Sequence, residues 1–130
     1  MQFTAQGWVD VPPGTPTKES DPSGKSPNTP GAKLDAGKHR PALVLGDFAR
    51  ALTEVSKVGT YGATKYTEHG WVDVPNGIAR YEEAAMRHWL SEKAGQEFDL
   101  DTGLLHAAHN AWNALARLDL ILRKKEKDGN

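Results

Sequence analysis

Apolar residues recur at spacings of three and four in three stretches between Gly46 and Arg123, and no strand-like alternation of apolar and polar residues rises above noise. A recurrence of that kind fits the 3.6-residue turn of an α-helix and not the two-residue pleat of a strand. The chain is therefore expected to be all-α. The first stretch runs from about Gly46 to Tyr66, with Phe48, Leu52, Val55 and Val58 on its apolar side. Asp47 is placed to cap it, and Gly59 and Gly62 predict a kink or break near Thr60. The second spans about Ile78 to Lys93, with Ile78, Tyr81, Ala85 and Trp89 on one face. The third begins after Asp101-Thr102, either of which can cap it, and runs to about Arg123 along a stripe of Leu104, Leu105, Ala108, Trp112, Leu115, Leu118 and Leu122. Residues 67–77 read as a loop, punctuated by Gly70, Pro75 and Asn76-Gly77.

Most of the prolines lie between Val11 and Ala36, interleaved with Gly, Ser, Thr and Lys. Such a segment buries too little apolar surface by itself to offset its ordering entropy. The sequence thus divides into an extended arm, residues 1–40, and a helical domain, residues 41–130. A body of roughly 90 residues hides little more than about 60% of its unfolded surface, so self-association is expected. One six-residue motif occurs twice, as Gly7-Trp8-Val9-Asp10-Val11-Pro12 and as Gly70-Trp71-Val72-Asp73-Val74-Pro75. A duplicated stretch of DNA accounts for it; alternatively, the arm occupies a groove like the one the second copy uses.

Charge and cysteine content exclude several classes. With 16 basic against 17 acidic residues there is no basic stripe for nucleic acid. The absence of cysteine removes disulfides, zinc–thiolate sites and thiol nucleophiles. Neither a leader-like N-terminus nor an apolar run of about 20 residues is present, so no membrane association is expected and a soluble, cytoplasmic protein is.

The chemistry-bearing residues cluster late in the chain. His106, His109, Asn110 and Asn113 stand at i, i+3, i+4 and i+7, which puts all four on one helical face. Glu82, Glu83, Arg87 and His88 lie on the preceding helix, and Glu97, Asp99 and Asp101 crowd the loop between the two. A His-x-x-His pair on a helix can share a metal ion, and carboxylates from other elements would complete its shell. The candidate ligands are Glu54, Glu83, His88, Asp101, His106 and His109, for Mg2+ or Mn2+, with manganese the better match to imidazole. Such an ion would bridge phosphate oxygens and position a water, while Lys38, Lys65 and Arg87 neutralise the remaining phosphate charge. The same face also fits a polar packing seam with no ligand. Of the adjacent acids only one can face inward, and Glu83, with Arg87 at i+4, is taken as that one. Trp71, in its Gly/Pro loop, is the aromatic most open to a nucleobase.

The run Tyr61-Gly62-Ala63-Thr64-Lys65-Tyr66, then Gly70-Trp71, Arg80-Tyr81 and Ala84-Ala85-Met86-Arg87-His88, resembles the phage dATP/dGTP diphosphohydrolases. So does the later run from Asp99 through Gly103-Leu104-Leu105-His106-Ala107-Ala108-His109 to Asn113. These belong to the MazG-like all-α nucleoside triphosphate pyrophosphohydrolases, in the MazZ branch, and the likeness covers about Lys33 to Leu122. The resemblance implies a MazG-like helical bundle, assembled as a homo-dimer or homo-tetramer with sites between subunits. It also implies that Mg2+ or Mn2+ holds a purine (deoxy)nucleoside triphosphate for cleavage between its α- and β-phosphates. The expected substrate is dGTP or dATP, and the expected setting is supply of monophosphate for 2-aminoadenine synthesis in a phage. The implied catalytic residues are Glu83, Asp101, His106 and His109; Lys38, Lys65, Tyr66, Trp71, Arg87 and Asn113 are the implied substrate contacts. Two departures stand out. The wider group uses Glu-x-x-Glu then Glu-x-x-Asp, whereas here His106-x-x-His109 stands for the second pair and no clean first pair exists. An acid often follows the glycine matching Gly95, but here that position is Gln96.

Two rivals remain. A triphosphohydrolase of the His-Asp type needs a His-Asp doublet, yet the five histidines precede Arg40, Gly70, Trp89, Ala107 and Asn110. A non-catalytic helical binding or assembly protein would use the His/Asn face for packing alone.

Overall fold

The computed structural model describes residues 18–129, together with the backbone of two short strands near the N-terminus. The chain forms two compact units, Met1–Gly46 and Asp47–Asn130.

In the first unit, β1 (Gln2–Thr4) pairs antiparallel with β2 (Gly7–Val9) in the register Gln2↔Val9, Phe3↔Trp8, Thr4↔Gly7. Strands of three residues are too short to leave a two-residue period in the sequence, which is why none was expected. Farther on, Asp21 gathers the chain: its carboxylate accepts hydrogen bonds from the Ser23 amide (2.6 Å) and the Lys33 amide (2.8 Å). The Ser23 hydroxyl bond and these two hold the Asp21 carboxyl below the usual range. The Ala36 amide donates to the Ser20 carbonyl at 3.0 Å, closing the prolines of this region into a loop. Pro41 then starts the single turn α1 (Ala42–Leu45), a position where its missing N–H costs nothing.

The second unit holds α2 (Ala49–Lys65), a 3-10 turn (Gly70–Asp73), α3 (Gly77–Lys93) and α4 (His106–Gly129). α2 is continuous through the expected break. Gly59 faces the Trp112 indole, and a Cβ there would lie 3.3 Å from Nε1, so this glycine serves close packing rather than bending. Thr60 and Thr64 tie their hydroxyls to the carbonyls four residues back, which keeps the last turns bonded. Asp47 does not cap the helix; Phe48 occupies that position without a side-chain bond.

The second copy of the repeated motif takes a different form from the first. Gly-Trp-Val is strand at Gly7–Val9 and 3-10 helix within Gly70–Asp73. At the second copy the tertiary setting is explicit. Tyr81 Oη donates to the Trp71 carbonyl at 2.7 Å. Trp71, Tyr81 and Trp112 meet edge to face, with centroids 5.6–6.4 Å apart, and the Arg123 guanidinium lies 5.2 Å from the Trp71 ring. These contacts clasp the loop onto α3 and α4. Whether the first copy uses a similar groove concerns Asp10, Val11 and Pro12, outside the described residues.

α3 and α4 run antiparallel, with Tyr81 beside Trp112 and His88 beside His106. The connection is tight. Gly95 and Gly103 supply backbone at φ 107° and 72°, Phe98 bridges Leu105, and the His106 amide donates to the Glu97 carbonyl at 3.0 Å. The bridge delays the start of α4 to His106, and Thr102 spends its hydroxyl inside the loop instead of capping. The helix also passes Arg123 and continues to Gly129, carrying the Arg123–Asp119 pair at 2.6 Å on its last turns.

The inward face of α4 is not the leucine stripe. Among the described residues the buried side chains are Val58, Ala108 and Ala116, with the polar His106, His109 and Asn113. Leu115 and Leu118 are about half exposed, at 49% and 52%. One face of α4 can meet α3, and the residues at 106, 109, 113 and 116 take it.

Candidate metal and nucleotide site

Three elements converge at the end of the α3–α4 hairpin where the connecting loop closes. His88 comes from α3, Gln96, Asp99 and Thr102 from the loop, and His106, His109 and Asn113 from the first two turns of α4. His88 Nδ1 and His106 Nδ1 are 2.8 Å apart. The His88 ring stacks on His109 with centroids 4.4 Å apart and planes 8° from parallel. His106 Nε2 meets Gln96 Oε1 at 2.6 Å. His109 Nε2 meets Thr102 Oγ1 at 2.8 Å and lies 3.7 Å from Asp99 Oδ2. Thr102 gives that same oxygen both its hydroxyl (2.9 Å) and its amide (3.1 Å). Asn113 donates to the His109 carbonyl at 2.8 Å, fixing the turn that presents the ring.

Burial sets the protonation of this cluster. It pushes the His88 ring down to about 4, and the neighbouring imidazoles of His109 and His106 push the same way. His109 is also lowered, burial outweighing the pull of Asp99. At Asp99 burial acts upward, but the two Thr102 bonds and His109 more than offset it and leave the carboxyl below its usual range. Neutral imidazoles beside an ionised carboxylate are the forms that bind metal.

The donor geometry fits a divalent ion. One ligand atom each from His88, Asp99 and His106 lies within 4.8 Å of the others. The two Nδ1 atoms, 2.8 Å apart, are close enough that both rings could serve one ion. His88, Asp99 and His106 could thus hold a divalent metal ion through two imidazoles and one carboxylate.

The other residues singled out from sequence are distributed as follows. Lys65 Nζ lies 5.4 Å from the Tyr66 ring and 6.0 Å from Tyr61. Its pKa is raised by Tyr66 first, then Tyr61, with a smaller pull from Asp101 that places α2's end near the acidic loop. Asp101 and Tyr66 are exposed. Glu83 and Arg87 are exposed on α3; five residues before His88, Glu83 is turned about 140° away from it. Glu54 pairs with Lys57 at 2.8 Å, toward the end of α2 remote from Asp101. Trp71 is engaged in the aromatic clasp, and Asn110 lines a shallow groove with Met86, Trp89 and Arg117. Lys38 belongs to the N-terminal unit, where it pairs with Glu19 at 3.2 Å. From the sequence, Gln96 is notable only as a departure from the family pattern and Thr102 only as a possible cap, and Asp101 is chosen over Asp99. All three are loop residues without periodicity; the Asp-x-x-Thr spacing of an Asx turn is the signal that was available.

A short helical bundle with a half-buried imidazole–carboxylate cluster at one end defines the class of protein. Residues 28–130 match the family model described as dATP/dGTP diphosphohydrolase, N-terminal, and the chain belongs to that family. It is 36% identical over 81 residues to a protein of Salmonella phage PMBT28 named dATP/dGTP diphosphohydrolase, an alignment covering 62% of this chain and 26% of that protein. No solved structure matches the chain. Among the described residues no helix is long and apolar enough to cross a membrane.

Proposed function

We propose that the chain is a metal-dependent diphosphohydrolase that cuts purine deoxynucleoside triphosphates between the α- and β-phosphates, releasing the monophosphate and pyrophosphate. The observation that carries this reading is the convergence of His88, Asp99 and His106 within 4.8 Å in a chain of this family. His88, Asp99 and His106 would hold Mn2+ or Mg2+, which when bound supplies charge for phosphate oxygens and acidifies a water. His109, held neutral beside them by burial, would be available as a general base. Lys65, whose charge is felt by Asp101 of the loop, would meet the outer phosphates. The name of the phage relative supports dGTP or dATP as substrate, and dGMP for 2-aminoadenine synthesis is the setting we favour. Incubation with dGTP and Mn2+ is expected to yield dGMP and pyrophosphate in equal amounts. Orthophosphate with dGDP, or no turnover with any purine nucleotide, would contradict the proposal.

The non-catalytic reading has one observation in its favour: the seam is closed by its own hydrogen bonds, His88 to His106 included. Failure of Mn2+ to bind would decide for it.

We also propose a homo-oligomer, dimer or tetramer. Among the described residues the helical unit buries three apolar side chains, while Met86, Trp89 and Leu118 are each half exposed or more. Glu54, Glu83 and Arg87, on outer surfaces, would then reach nucleotide only across a subunit boundary. Light scattering at micromolar concentration is expected to give at least twice the 14.2 kDa chain mass; a monomer would contradict it.

A further inference from the structure

A neutral imidazole can present its lone pair from either nitrogen, and a neighbour that only accepts, or only donates, decides which. Both helix histidines of the seam face an atom on the segment joining α3 to α4 whose role is fixed in this way, by its chemistry or by its other bonds. Gln96 presents its carbonyl oxygen to His106 Nε2 at 2.6 Å. A carbonyl only accepts, so the His106 proton sits on Nε2 and its lone pair on Nδ1, the atom 2.8 Å from His88 Nδ1. The Thr102 case follows from counting protons. Its hydroxyl has one, and that proton goes to Asp99 Oδ2, an acceptor at 2.9 Å. Oγ1 already accepts from the Leu104 amide at 3.1 Å. The 2.8 Å contact with His109 Nε2 must then be a donation from the ring, so His109 too carries its proton on Nε2.

We infer that Gln96 and Thr102 are positioning residues that hold His106 and His109 as Nε2–H tautomers, aiming the His106 Nδ1 lone pair into the His88–Asp99 cluster. Partners of this kind orient ligating imidazoles and govern their donor strength. Gln96 is the position where an acid was expected. An amide oxygen fixes the same tautomer as a carboxylate but adds no negative charge, so this chain keeps the orientation without an acid. The tautomers stand on hydrogen-bond geometry alone; their consequence for a cation rests on the metal reading above.

The test uses the full chain, labelled with 15N on histidine and free of cations, at pH 7. Long-range 1H–15N correlation is expected to show Nε2–H for both His106 and His109. Gln96→Ala should release His106 into a tautomer mixture, and Thr102→Val should do the same to His109. Gln96→Glu and Thr102→Ser should restore each. Mn2+ binding, read from the signal of free Mn2+ by electron paramagnetic resonance, should weaken about tenfold in Gln96→Ala and not in Gln96→Glu. An Nδ1–H signal from either ring in the unsubstituted chain overturns the inference, even if no variant folds. So do unchanged tautomers in both deletion variants. A chain with both Nε2–H signals that binds no Mn2+ upholds this inference and overturns the metal reading alone.

Discussion

His106→Ala lowers pyrophosphate release from dGTP by on the order of a thousandfold, about 4 kcal/mol of barrier. The expectation follows from what the ring does: it is 3% exposed, one nitrogen faces the cluster, and the other is fixed by Gln96. Removing it takes away a ligand and frees the Gln96 amide, which water can solvate because Gln96 is exposed, so the larger loss is in rate and not in stability. His109→Ala is expected to act as strongly on rate, since it removes the base stacked on His88 and unseats Thr102. Both variants should keep their far-ultraviolet helical signal, because α4 has 24 residues and alanine leaves the backbone bonds of both positions in place. Steady-state rates and circular dichroism on the same samples check this. Near-normal turnover in both would sink the assignment of chemistry to the seam.

The cation-free chain loses stability as the pH falls from about 6.5 to about 4. Unfolded His88 binds its proton near 6.5, while the folded ring holds out to about 4 because burial and the other imidazoles oppose the charge. Between those values the unfolded state carries more protons, so unfolding becomes easier as pH drops and the contribution is complete above about 6.5. For a fully enclosed ring the shift would amount to about 3 kcal/mol, reduced to roughly 2 by partial solvent contact. His109, lowered for the same reason, adds in the same direction. In urea the midpoint should move down by about 1–2 M between pH 7.5 and pH 4.5, and His88→Gln should flatten the profile. A midpoint independent of pH in the unsubstituted chain would show that His88 is not held neutral by its surroundings. The same protons compete with a cation for the rings, so Mn2+ affinity falls over the same window.

The sequence located the helices well because each carries its own period. The His106, His109 and Asn113 spacing also put those three side chains on one face without any help from the rest of the chain. What it misjudged is instructive. The leucines of α4 follow the same period as the histidines, so hydrophobicity argued for burying Leu115 and Leu118, and the structure buries the polar row instead. Gly59 was expected to weaken α2 and instead admits the Trp112 indole. Neither outcome can be read locally, since each depends on what a second helix brings to the contact.

The repeated motif makes the same point most directly: Gly-Trp-Val is strand in one copy and 3-10 helix in the other. Where the sequence settles a feature by itself, the physics is short-ranged: helical period, which side chains share a face, and prolines that forbid helix before Pro41. The tertiary structure alone decided that the polar face of α4 points inward and that His88 and Asp99 join it. The reason is hydrogen bonding across distance in the chain. Buried imidazoles need acceptors and donors for both nitrogens, and Gln96, Asp99 and Thr102 supply them only once the loop has closed between α3 and α4.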